Sequence, residues 1–119
     1  MIIAVSSEGN NLESKVDARF GRASSFVIIN TDSDSVSNIA NTQNLNAQQG
    51  AGIQAAKHIL NAEADVLLTG HVGPKAFKVL SQGDVKVYTG VQGTVKEAIE
   101  ALNNNKLQLA KEADVEGHW

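Results

Sequence analysis

Val66-Leu67-Leu68-Thr69-Gly70-His71-Val72-Gly73-Pro74-Lys75 decides how the rest of the chain is read. Its apolar start is too short for a helix and rich in β-compatible residues, which predicts a short buried strand. Gly70 and Gly73 punctuate it, and Pro74 suits the first turn of a helix, where its missing N–H would be unpaired anyway. Ala76, Phe77 and Leu80 then fall on one helical face. Such a junction aims backbone N–H groups, and the positive end of the helix dipole, into one crevice. The design returns twice. Gly50-Ala51-Gly52 opens a helix with Ile53, Ala56 and Leu60 at helical spacing, and Gly90-Val91-Gln92-Gly93-Thr94 opens one with the stripe Val95, Ala98, Ile99 and Leu102. Thr94 stands at capping-box distance from Glu97.

Outward from this stretch, residues 2–5 read as a buried strand and residues 6–11 as the polar loop leaving it. Residues 12–16 form a short irregular or extended piece. Asp17-Ala18-Arg19-Phe20-Gly21-Arg22-Ala23 is a loop that sets two guanidinium groups around a phenylalanine and a glycine. Residues 25–30 make a second strand, 31–35 a turn rich in Asp and Ser, and 36–40 a third strand whose weak apolar content suits a sheet edge. A further strand covers 85–89, and Leu107 and Leu109 pack briefly after the last helix. This order predicts a three-layer α/β domain over residues 1–110, with a mixed five-stranded sheet (one strand antiparallel), three main helices and right-handed crossovers. Residues 111–119 read as a loose polar tail. Parallel strands deliver their loops to one edge, where ligands bind. The 6–11 loop, the 70–73 and 90–94 junctions and the Arg19–Arg22 loop should therefore meet, with the Gly50–Gly52 helix start close by.

Composition narrows the function classes. The 119 residues suit one domain, and 42% hydrophobic content argues against disorder. A formal net charge of −3 gives no drive toward nucleic acid or anionic membrane. No apolar run is long enough to span a bilayer, and the N-terminus reads as a strand rather than a signal peptide, so the cytoplasm is the expected compartment. Without cysteine there is no disulfide, thiolate zinc site or cysteine-ligated cluster. No nucleophile–base pair is recognisable, and Asp17 in its loop, Asp32 and Asp34 in the 31–35 turn, and Asp65 at the start of its strand on the opposite edge do not converge, so two-metal hydrolysis and enzymatic function in general are not expected.

The candidate binding set is Arg19, Phe20, Gly21, Arg22, Gly70, His71, Gly73, Gly90, Gly93 and Thr94. Glycines in α/β turns often serve geometry alone; several converging on one edge point to a ligand. Arg19 and Arg22, flanking Phe-Gly beside helix starts, make an anion cradle. Phe20 is read either as a core anchor, the favoured sense, or as a ring facing the ligand. His71 is a candidate metal ligand, an anion donor, or a histidine bonded to local backbone. His58 reads as surface, residues 43–49 as a flexible loop or a lid, and His118 beside Trp119 as part of the tail.

Three segments carry a family resemblance. They are Val16-Asp17-Ala18-Arg19-Phe20-Gly21-Arg22-Ala23 followed by Phe26, then Gly50-Ala51-Gly52-Ile53-Gln54-Ala55-Ala56, and finally the 65–75 and 89–102 pieces. Together they resemble the nitrogenase iron–molybdenum cofactor biosynthesis proteins of the NifX, NafY and NifB C-terminal type, over nearly the whole chain except the tail. The resemblance implies a ribonuclease-H-like α/β fold and a non-catalytic carrier of a molybdenum-containing metal–sulfur cluster, with iron or copper as further metals. Its implied partners are the cluster or a thiomolybdate-like anion, and cofactor-assembly or recipient proteins. Carrier members often place a histidine before the Phe-Gly pair; here it is Arg19, as in small stand-alone relatives outside nitrogenase systems. A phosphate- or nucleotide-binding regulatory module is the alternative, although no Walker or Gly-x-Gly-x-x-Gly motif supports it.

Overall fold

Side chains alternate across the first strand, β1 (Ile2–Ser7), and sort the core into two faces. A computed structural model describes residues 1–46 and 50–114. Ala4 joins Phe20, Phe26, Ile59, Leu67 and Leu80 on one side of the sheet, whereas Ile3 and Val5 join Val27, Leu68, Val95 and Ala98 on the other. Helices α1 (Ala51–Asn61) and α2 (Pro74–Gln82) cover the first face and α3 (Val95–Asn103) the second, which gives the expected three layers. No described helix is long and apolar enough to cross a membrane.

The remaining strands are β2 (Ser25–Asn30), β3 (Ser35–Ala40), β4 (Val66–Leu68), β5 (Lys86–Thr89) and β6 (Gln108–Leu109). Their order is β3-β2-β1-β4-β5-β6. β1, β4 and β5 run parallel; β2 is antiparallel to β1, β3 to β2, and β6 to β5. The sheet thus has six strands rather than the expected five, and both β2 and β6 run against β1. β6 carries no buried side chain. It exists through main-chain pairing with Tyr88 and Thr89, continued by Ala110 N–H to Val87 O at 2.8 Å, and it covers an edge of β5 that would otherwise be open.

Two further expectations shift. The buried face of α1 is Ala55, Ala56 and Ile59, rotated from the Ile53–Ala56–Leu60 stripe. Small alanines face a space already filled by the Phe20 and Phe26 rings, whose centroids lie 5.4 Å apart, a tilted pair worth about 1 kcal/mol beyond its area. Leu60 leans over Gly83, where any Cβ would collide with it. Residues 20–22, expected as plain loop, form a 3-10 turn.

Candidate functional site

The C-terminal ends of β1, β4 and β5 share one edge, and a polar seam ties the Asp17–Ala23 loop to it. Ser6 Oγ donates to Asp17 O at 2.8 Å and lies 2.8 Å from Thr69 Oγ1, both residues being fully buried. Asp17 Oδ1 accepts from Arg19 N at 2.9 Å, a local turn that sets the loop's direction. The loop then runs beside β4's extension: His71 N donates to Ala18 O at 2.7 Å, Phe20 N donates to His71 O at 3.2 Å, and Arg19 bridges to His71. This approach explains Gly70, because a Cβ there would stand 2.6 Å from Ala18 Cα. Phe20 is wholly buried and anchors the turn rather than facing outward; Gly21 is buried with it. Asn41 Nδ2 donates to Gly21 O at 3.2 Å and Ala23 O at 2.9 Å, fixing the turn from below. Arg19 and Arg22 remain exposed on that braced turn.

A cleft of about 520 Å³ opens between this turn and α1, with Arg22, Ser24, Asn41, Gln43 and Gln54 among its lining. Gln54 grips Asn44 twice, accepting from its N–H at 2.7 Å and donating to its carbonyl at 3.2 Å. His58, expected as plain surface, bonds Thr42 O through Nε2 at 2.7 Å. With Gln43 Nε2 donating to Ala51 O at 3.3 Å, residues 42–44 are pinned to α1; of the candidate lid, 47–49 lie outside the described residues.

The three helix starts differ. α1 begins at Gly50 and α2 at Gly73, neither with a side-chain cap. α3 is closed: Thr94 Oγ1 accepts from Glu97 N at 3.1 Å and Glu97 Oε1 accepts from Thr94 N at 3.0 Å. Val95 N and Lys96 N donate to Ser14 O and Leu12 O at 2.9 and 3.0 Å. Gly93 and Gly90 both have positive φ, +91° and +73°, a backbone that favours glycine with or without a ligand. Gly90 N donates to Gly70 O at 2.8 Å, and Gly93 O accepts from Val16 N at 2.9 Å. The structure thus gathers Arg19, Phe20, Gly21, Arg22, Gly70, His71 and Gly73, with Gly90 tied to Gly70. It commits Gly93 and Thr94 to holding the 12–16 segment.

One participant was invisible in the sequence. Asp114 Oδ2 lies 2.9 Å from His71 Nδ1, and Asp114 Oδ1 accepts from Val72 N at 2.8 Å. Nothing in a polar C-terminal stretch signals such a contact. The other tail residues of interest, His118 and Trp119, lie outside the described residues. Among the described residues no three His, Asp or Glu side chains group to hold a bare metal ion. Asp65 accepts from Ile2 N at 2.8 Å at the opposite end of the sheet, away from Asp17.

A family model described as dinitrogenase iron-molybdenum cofactor matches residues 1–105. The apo form of the orange protein from Desulfovibrio gigas superposes with a TM-score of 0.89 at 36% identity, over 96% of each chain. A proposed NifB protein from Thermotoga superposes with a TM-score of 0.82 at 34% identity, over 98% of each chain. An uncharacterised protein of Methanocaldococcus jannaschii is 29% identical over 111 residues, 91% of this chain and 90% of that one. Match and geometry agree from the first strand to the last helix, and the chain belongs to the dinitrogenase iron–molybdenum cofactor family.

Proposed function

We propose that this chain is a non-catalytic carrier for an anionic molybdenum-containing metal–sulfur cluster or its thiomolybdate-like precursor, held as cargo. The observation that carries this reading is the pairing of Arg19 with His71 along one backbone bridge, beside the uncapped start of α2. That pairing sets a cation, an imidazole and a helix dipole at one edge, with Arg22 on the same turn. A bare Fe²⁺ or Zn²⁺ would need several protein ligands. A preassembled thiometallate brings its own sulfur and presents a negative surface, which suits donors and cations instead. Each contact is modest and reversible, as delivery to a recipient protein requires. Membership of a cofactor family, and a relative whose structure is an apo form, support the same reading.

Arg19, Arg22, His71 and Gly73 are the binding residues in this proposal, and Phe20, Gly21, Gly70 and Gly90 frame them. The carrier unit is residues 1–110 in a ribonuclease-H-like arrangement, working in the cytoplasm, with iron or copper as companion metals. The test is anaerobic reconstitution of the apo-protein with tetrathiomolybdate, alone and with Fe²⁺ or Cu⁺, followed by gel filtration. A coloured complex of fixed metal-to-protein ratio that survives the column is the expected result. Metal and sulfide eluting apart from the protein, with saturable nucleotide binding, would hand the site to a phosphate or nucleotide.

A further inference from the structure

A carboxylate already occupies part of the edge assigned to the anion. Its two oxygens are divided between two donors of one turn, Oδ1 to the Val72 N–H at 2.8 Å and Oδ2 to His71 Nδ1 at 2.9 Å. Val72 N–H and the His71 ring thus converge as a two-point fork for an oxyanion, immediately before the uncapped start of α2 at Gly73. The carboxylate reaches it from 43 residues away in sequence. Its segment is lightly held. Lys111, Glu112 and Asp114 are exposed, and Asp114 adds one main-chain bond, its N–H donating to Val72 O at 3.3 Å. Among the described residues 111–114 no side chain is buried. Hydrogen bonds of this kind are individually modest and therefore reversible.

We propose that Asp114 is a built-in competitor: it fills the His71–Val72 donor pair in the empty protein and must leave when an anionic ligand binds there. This rests on the carrier reading above and adds its regulation. A latch closed in about nine molecules of ten weakens apparent affinity about tenfold, because only the open fraction binds. Displacement also frees the exposed 111–114 segment, so loading would be reported at the protein's surface for a recipient to read. The rival role is a brace, in which Asp114 orients His71 for the ligand and its loss weakens binding.

The experiment follows the Val72 amide and the His71 ring by NMR in wild type, Asp114→Ala, Asp114→Asn and Glu112→Gln during titration with tetrathiomolybdate and, separately, with acetate. Glu112→Gln removes the same charge from the same exposed segment. The competitor reading expects the Val72 amide to shift on removal of Asp114, and acetate to reverse that shift saturably in Asp114→Ala. Tetrathiomolybdate should bind Asp114→Ala about tenfold tighter than wild type, with no gain in Glu112→Gln. Equal or weaker binding to Asp114→Ala, or an equal gain in Glu112→Gln, overturns displacement while leaving the carrier reading intact. If no variant binds tetrathiomolybdate but acetate still saturates the Val72 amide, the carrier reading fails and the donor pair stands. If neither anion moves that amide in Asp114→Ala, the proposal is wrong.

Discussion

The junctions before α2 and α3 share a pattern in sequence, two glycines three residues apart between a strand and a helix, yet they end in opposite states. At Gly93–Thr94 the first-turn donors are consumed by Thr94, Ser14 and Leu12. At Gly73–Pro74 no described side chain caps the helix, and the neighbouring Val72 N–H is met by a carboxylate from the distant 111–114 segment. The difference lies in what crosses each junction. The 12–16 segment lies over the α3 start and the 17–22 loop over residues 70–71; only the second delivers arginines. A glycine junction therefore announces geometry, and the segment laid across it decides whether a ligand has anything left to bind.

Gly70→Ala should break the open junction most severely. The added Cβ would meet Ala18 main chain at 2.6 Å, which cannot swing aside as a side chain could. A destabilisation of about 3 kcal/mol is expected, read as a lower urea midpoint. An unchanged midpoint would mean that the loop is not held as described. Next in size are the arginines. Arg19→Ala and Arg22→Ala should each cost roughly 1.5–3 kcal/mol of tetrathiomolybdate affinity with little change in stability, since both side chains are exposed. Arg19→Lys should rescue only partly, lacking the planar fork. Unchanged affinity in both alanine variants would place the site elsewhere.

Much of this architecture was legible in the chain itself. Val66–Leu68 emerges as a strand and Thr94–Glu97 as a capping box because local pattern decides each. β6 was not legible, because two exposed residues pair only through main chain that β5 supplies. In the candidate site, Arg19, Arg22 and His71 announce themselves by chemistry and spacing. The unequal fate of the glycine junctions does not, because it depends on a register between segments distant in sequence, Leu12 and Ser14 against α3 and Ala18 against His71. Asn41, Ser6 and Thr69 read as ordinary polar residues until the contacts that employ them exist.

Thr94→Ala tests the closed end. Losing the cap should cost about 1 kcal/mol of stability, while tetrathiomolybdate affinity stays at the wild-type value. A parallel loss of affinity would bring the α3 start back into the site and erase the contrast between the two junctions.

The smallest effect is expected where an open end is converted to a closed one. Gly50 caps α1 with extended backbone, φ −72° and ψ 172°, and a Cβ there would meet nothing within 4 Å. Gly50→Asp can therefore be accommodated without strain, and its carboxylate can accept from the first-turn N–H groups as a better cap than glycine. Stability should rise by a few tenths of a kcal/mol. The same carboxylate would add a like charge beside the cleft that Arg22 and Ala51 line. Affinity for a polyanion reaching that cleft should then fall about threefold at low ionic strength, and the deficit should shrink as salt screens it. Opposite signs for stability and affinity are what separate an open helix end that serves the ligand from one that is merely uncapped. A variant that gains stability and binds tetrathiomolybdate as wild type does would confine the site to the α2 junction and the two arginines.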